Sequence, residues 1–278
     1  MPVNDELGIR MKTYYEQIPK TKLMRRTPVA IRIDGKAFHT FTKGFQKPFD
    51  EVLIKSMQET MKYLCENIQG CVLGYHQSDE ITLILVDYKN LNSDAWFDYE
   101  VQKMCSIAAS MATMAFNKYF KEIADDYVQD RAIENEIEAL VSKEEAKYCG
   151  TLLKAVEKGA MFDARVFNIP KEEVTNLLYW RQLDATRNSI QMVGQAHFSH
   201  RELHGKSCNM IQDMLLTEKD INWNDFPTHQ KRGTCCIKKP FKINEGTEQE
   251  KIRNKWVIDT EIPIFTQNKE YINKLIFI

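Results

Sequence analysis

The order in which β-rich apolar runs and helix-period stretches follow one another constrains this chain more than any other feature. PVAIRI (28–33) is a β-rich run that stops at Asp34-Gly35, a turn signal. Beyond a loop holding Gly44 and Pro48, residues 50–66 space Val52, Leu53, Met57, Met61 and Leu64 at helical intervals. CVLGY (71–75) and ITLILV (within 80–86) are two short strands that His76-Gln77-Ser78-Asp79-Glu80 joins as a hairpin. Residues 98–119 are Ala- and Met-rich with helical spacing. The acidic stretch 121–147 is also expected to be helical, with an interruption near Cys149-Gly150. AMFDARVFN (160–168) is a fourth strand, and Pro170 opens a long helix through Met192-Val193. Residues 4–17 can form an opening helix. Strand, helix, strand, strand, helix, strand is the split β-α-β order of a ferredoxin-like α+β sandwich, a four-stranded antiparallel sheet backed by two helices.

In that sandwich the first and third strands are central neighbours running antiparallel, so the end of one lies beside the start of the other. Asp34 and Asp79 should therefore meet at one edge of the sheet. Two carboxylates at close range repel, and either share a proton or hold cations. Hard oxygen ligands on a rigid sheet suit Mg²⁺, which also accepts substrate phosphates. A pair of such ions supports in-line displacement of pyrophosphate by a hydroxyl. Lys36, His39, Lys43 and Lys47 lie in the loop after Asp34, within reach of a triphosphate, and Ser78 can donate a hydroxyl to a phosphate oxygen.

Composition narrows the function classes. At 278 residues the chain has room for one large domain or two small ones, roughly 150 residues each. Hydrophobic residues at 43% and charged residues at 28% exclude a disordered or fibrous chain. With 38 Lys+Arg against 39 Asp+Glu, a uniformly basic nucleic-acid binder is excluded and a locally basic one is not. Residues 10–26 and 230–255 each carry a local net charge of +5, whereas 121–147 hold nine acids and four bases. A solvated helix face explains any one such run, but two basic stretches flanking a neutral middle fit a polyanion cradle better. No run approaches the ~18 apolar residues of a membrane span, and the N-terminus lacks the apolar core of a secretory signal. Seven cysteines without a C-x-x-C pair argue against a disulfide framework or zinc ribbon and for a reducing cytoplasm.

Three further groupings bear on function. Arg181, Asp184 and Asn188 share a helix face, where an internal salt bridge competes with a role near nucleotide or tRNA. His197, His200 and His204 also fall on one helical face, but without a fourth ligand a polar RNA-facing or intersubunit surface is expected rather than zinc. Gly205-Lys206-Ser207 mimics the tail of a P-loop, yet His200 stands where that motif needs glycine.

The motifs carry a family resemblance. IRIDGKAFHTFTKGFQKPFD (31–50), GYHQSDEITLILV (74–86), FDARVF (162–167) and YWRQLDATRNSI (179–190) resemble, in this order, the signature blocks of the tRNA-histidine guanylyltransferase family, over roughly residues 10–260. The resemblance implies a polymerase-like palm adding nucleotides to RNA in the 3′-to-5′ direction. It implies that Asp34, the Gly35 carbonyl and Asp79 hold two Mg²⁺ ions, with Glu80 as a further catalytic acid. Phe38, His39, Lys47, Asp50 and Ser78 fall on nucleotide-binding positions, to which the loop reading adds Lys36. Arg25, Arg181, Arg187, Asn188, Arg232 and Lys238 are the tRNA-binding candidates. The implied chemistry activates a 5′-monophosphate end with ATP or GTP, after which the 3′-hydroxyl of an incoming triphosphate attacks. Thr186 replaces the histidine of the eukaryotic H-I-N-N block, and with RGTCCIKK (232–239) this resembles the bacterial and archaeal guanylyltransferase-like branch. That branch favours templated filling of truncated tRNA 5′ ends over guanylate addition to tRNA-His. A palm-like catalytic domain at 1–168, a helical and basic tRNA-positioning region at 169–278, and a homo-tetramer are the corresponding expectations. A nucleotide cyclase or dinucleotide synthase and a non-catalytic tRNA-binding protein are the alternatives.

Overall fold

In the first strand, Val29, Ile31 and Ile33 alternate with Ala30, Arg32 and Asp34, and this period of two sends the two sets to opposite faces of a sheet. Both faces are covered, so both sets of apolar residues are buried. The computed structural model describes residues 5–138, 142–243 and 251–278. Strands β1 (Val29–Gly35), β2 (Cys71–Gln77), β3 (Glu80–Leu85), β4 (Phe162–Asn168), β5 (Thr234–Ile243) and β6 (Lys251–Asp259) form one antiparallel sheet in the order β4-β1-β3-β2-β5-β6. The first four strands reproduce the ferredoxin-like core, with β1 and β3 at its centre.

Helices α3 (Glu51–Asn67), α4 (Val101–Glu138) and α5 (Lys143–Lys158) belong to one face, where Ile31, Ile33, Met57, Met61, Leu64, Phe116 and Leu152 are fully buried. Asp50 starts α3 as an N-cap, its side chain accepting from the Leu53 N–H. Helices α6 (Val174–His197) and α10 (Glu270–Ile276) cover the other face around Ala30, Leu73, Leu178, Phe265 and Ile272. The C-terminal region thus closes the second face of the sheet, and its strands β5 and β6 extend the sheet from four strands to six. A third, smaller cluster joins the end of α6 to α8 (Cys208–Lys219) through Val193, Ile211 and Leu215. The remaining α-helices among the described residues, α1 (Glu6–Met11), α2 (Phe38–Phe41), α7 (His200–Leu203) and α9 (Thr228–Arg232), are short.

Two helical expectations are corrected. Helix α5 runs unbroken through Cys149-Gly150 from its N-cap Ser142, whose side chain closes a capping box with Glu145. Residues 139–141 of the acidic stretch lie outside the described residues, as do residues 244–250 of the second basic stretch. His197, His200 and His204 do not share a helical face. Helix α6 ends at His197, Phe198 is extended, and Ser199 caps a separate one-turn helix.

Candidate active site

Strand register brings the acids together. Asp34 pairs with Glu80 on β3 and with Asp163 on β4, so three carboxylates lie in one row across three strands. The Gly35 N–H donates to the Asp79 carbonyl at 3.2 Å, which fixes the β2–β3 turn against the end of β1. No other residue fits at Gly35, because an added Cβ would stand 2.1 Å from the Phe38 ring.

The turn that carries Asp79 is held from below by His76. Its Nε2 lies 2.9 Å from the Ser78 carbonyl and its Nδ1 lies 3.3 Å from the Thr234 hydroxyl on β5. A carbonyl can only accept, so Nε2 carries the proton and Nδ1 accepts from Thr234. Burial pushes the His76 pKa down to about 4, which keeps the ring neutral in this tautomer. Gly233 passes so close that an added Cβ would lie 2.3 Å from the His76 carbonyl, and its φ of +81° lies in the glycine-favouring region. Ser78 itself has φ +52°, a strained left-handed turn residue directly before Asp79. Burial raises the Asp79 carboxyl above the ordinary range and the Asp34 charge adds to the effect. Such a pair lacks positive charge, which a divalent cation supplies.

Among the described residues no group of three or more His, Cys, Asp or Glu side chains is placed to hold a metal. A cation between Asp34 and Asp79 would therefore complete its shell with backbone, water and phosphate oxygens. Mg²⁺ takes that donor set readily, so the residues fit it.

Beside the turn opens a cleft of about 570 Å³, lined by Gly35, Phe38, His39, Lys47, Asp50, Ser78 and Asp79 among others. The size suits a nucleotide. Seven of the residues singled out from the sequence thus meet in one cavity. Phe38 contributes only an edge, since its ring packs on Phe41, Phe116 and Phe162 in the core. Lys36 is exposed and is not among the lining residues. Asp50 is buried and fully engaged, accepting from the Gln46 N–H at 3.0 Å, the Leu53 N–H at 2.9 Å and the Tyr148 hydroxyl at 2.7 Å. It anchors the loop that presents Lys47.

Glu80, the register partner of Asp34, differs from the two aspartates in being held by cations. Its two oxygens are taken by Arg181 Nε at 2.6 Å and an Arg32 guanidinium nitrogen at 2.8 Å. Arg181 is 4% exposed and also binds Asp184 at 2.8 Å, so its guanidinium faces acids rather than solvent. Trp180 roofs the group, with the Arg181 guanidinium 4.5 Å from its ring centre.

The other candidate tRNA contacts are dispersed. Arg187 is exposed beside Asp184, and Asn188 lines a smaller pocket with His76, His229 and Thr234. The Arg232 carbonyl accepts from the Tyr75 hydroxyl, leaving its half-buried side chain near the start of β5. Arg25 lies at the far end of β1, its guanidinium bound to Asp87 and Asp98. Lys238 also lies at that far end, over the Trp256 ring, in a cleft with Lys89 and Lys274. The sequence reading missed Arg32, His76, Tyr148 and Asp163. Arg32, His76 and Asp163 lie inside the signature blocks IRIDG, GYHQSDE and FDARVF, whereas Tyr148 carried no signal.

With this geometry in place, comparison with known proteins is direct. The family model described as "Thg1: tRNAHis guanylyltransferase" matches residues 9–170. A solved "Bacterial tRNA(HIS) Guanylyltransferase (Thg1)-Like Protein in complex with ATP" is 40% identical, covers 98% of this chain and 100% of its own, and superposes with a TM-score of 0.78. A second bacterial structure of the same description, in complex with GTP, is 37% identical over 99% of this chain and 100% of its own, with a TM-score of 0.74. A "Probable tRNA(His) guanylyltransferase" of Dictyostelium discoideum is 25% identical, covering 90% of this chain and 91% of that protein.

Proposed function

Because the chain belongs to the tRNA(His) guanylyltransferase family, we propose that it is a nucleotidyltransferase that adds nucleotides in the 3′-to-5′ direction to the 5′ end of tRNA, using ATP and GTP. We infer further that addition is templated and repairs truncated 5′ ends. Thr186 in place of the family histidine supports that reading. The observation that carries the chemistry is the juxtaposition of Asp34 and Asp79, fixed by β1–β3 pairing and by the Gly35–Asp79 hydrogen bond.

In this reading Asp34, Asp79 and the Gly35 carbonyl would hold Mg²⁺. When bound, the metal neutralises phosphate charge and favours attack by a hydroxyl and departure of pyrophosphate. The remaining work falls to the chain itself. Lys47 places positive charge along the cleft and His39 adds a hydrogen-bonding ring, so that the two bind the triphosphate and orient it. Ser78 donates its hydroxyl to a phosphate oxygen. Asp50 and Tyr148 keep the Lys47 loop in register with the turn. Glu80, held by Arg32 and Arg181, presents no free oxygen and serves as a positioning residue for Asp79.

The region 169–278 is assigned to tRNA positioning, with Arg187, Arg232 and Lys238 as phosphate contacts. The protein works as a homo-oligomer, a tetramer by family resemblance. Exposed Leu7, Ile9, Tyr14, Tyr15 and Ile18 in the N-terminal segment support this, because a lone chain leaves them in water. The seven cysteines, all free thiols, suit the cytoplasm. No described helix is long and apolar enough to cross a membrane.

The test uses a tRNA lacking its 5′ nucleotide, with labelled 5′-phosphate, Mg²⁺, ATP and the four nucleoside triphosphates. The RNA lengthens at its 5′ end, and the added base follows the opposing base. Asp79→Ala abolishes extension while leaving the melting temperature within a few degrees of the parent. An active Asp79→Ala enzyme would overturn the mechanism, and triphosphate turnover without extension would favour a cyclase.

A further inference from the structure

We propose that a second cleft, at the carboxyl end of α6, binds an unpaired nucleotide of the template strand, opposite the 5′ end being repaired. This rests on the reading above and assigns that site a further subsite. The cleft measures about 500 Å³, large enough for one nucleotide. Gln195 lines both this cleft and the catalytic one, so the two adjoin across a single side chain.

The break in the helix creates it. Helix α6 stops at His197 and the chain turns through extended Phe198 into the one-turn helix α7. His204 closes that turn, and Gly205, with φ +72°, leads into α8. His200 and His204 consequently stand at the two ends of α7, their ring centres 6.3 Å apart. The buried lining is apolar, made by Phe198 and Ile211, while the exposed rim is polar, made by Gln191, Gln195, His200, His204 and Lys206.

This chemistry fits a nucleobase with one phosphate. Flat apolar faces meet the aromatic and aliphatic interior. The amides of Gln191 and Gln195 both donate and accept, as base edges require, and the His200 and His204 rings add further hydrogen-bonding nitrogens. Lys206 supplies a cation for one phosphodiester. None of the lining residues is acidic, so nothing there would hold the metal that accompanies a triphosphate. The one acid on α7, Glu202, is turned onto the Ser199 N–H and hydroxyl. A tRNA short of its 5′ nucleotide exposes an unpaired 3′ strand right beside the reacting end, and that strand is the unpaired RNA closest to the catalytic cleft.

The test measures equilibrium binding of fluorescent acceptor-stem hairpins, blunt or with a 3′ overhang, by anisotropy. The parent protein prefers the overhang. The His204→Ala/Lys206→Ala double variant and the Gln191→Ala variant lose roughly ten-fold of that preference while keeping their affinity for ATP and their circular dichroism. Unchanged overhang preference in both variants, or no preference in the parent, overturns the subsite. So does loss of ATP affinity instead. Because binding is read without turnover, a protein that fails to extend tRNA but passes this test would lose the polymerase reading and keep the subsite.

Discussion

A histidine held neutral by burial makes stability depend on pH with a definite sign. His76 titrates near 4 in the folded protein, against about 6.5 in an unfolded chain. Between those values the unfolded chain binds the extra proton and the native one does not, so stability is full above about pH 6.5 and is lost as pH falls toward 4. The full difference is on the order of 3 kcal/mol. Urea titrations at pH 7 and pH 4.5 should show it, and His76→Gln, whose amide can still donate to Ser78, should flatten the slope. An unchanged slope in that variant would remove His76 from the account. His76→Phe removes both hydrogen bonds, and kcat is expected to fall roughly ten-fold while the KM for ATP barely moves, as suits a residue that aims Asp79 rather than touching nucleotide. Asp34 and Asp79 were readable from the sequence because strand order alone dictates their meeting. The supports around them were not. His76 finds Thr234 across 158 positions, and Tyr148 finds Asp50 across 98, distances over which no periodicity speaks.

Among elements, α6 is tied to the sheet by charge as well as by apolar packing. Arg181 bridges β3 and its own helix through Glu80 and Asp184, almost wholly out of water. Breaking one side of such a buried group leaves an uncompensated charge and typically costs about 3–5 kcal/mol. Arg181→Met should therefore lower thermal stability steeply, and Glu80→Gln added to it should restore part of the loss. Additive effects in that double-mutant cycle would refute the coupling. The four core strands were legible from alternation and flanking turns, and α3 and α6 from helical spacing. Strands β5 and β6 were not, since Lys238, Lys239, Lys242, Arg253 and Lys255 make their sequence read as a basic patch before it reads as a strand pair. The histidine face failed for a related reason. Periodicity assumes a continuous helix, and the Ser199 capping box ends one and starts another.

For the whole molecule, the N-terminal segment is the exposed part that needs explaining. Helix α1 buries none of its residues, and Leu7, Ile9, Tyr14 and Ile18 are all at least 59% exposed. Replacing Leu7, Ile9 and Tyr14 by serine should shift sedimentation toward the single chain at micromolar concentration, with no loss of monomer helicity. An unaltered sedimentation coefficient would place the oligomer contact elsewhere. Both aspartates have been synthesised by residue 79, but the Thr234 hydroxyl that completes the His76 support arrives only with β5, late in the chain. A polypeptide still on the ribosome, or one cut short before that strand, carries both aspartates on an unbraced turn. The bracing of the catalytic turn is thus a late event of synthesis, completed only when β5 pairs with β2.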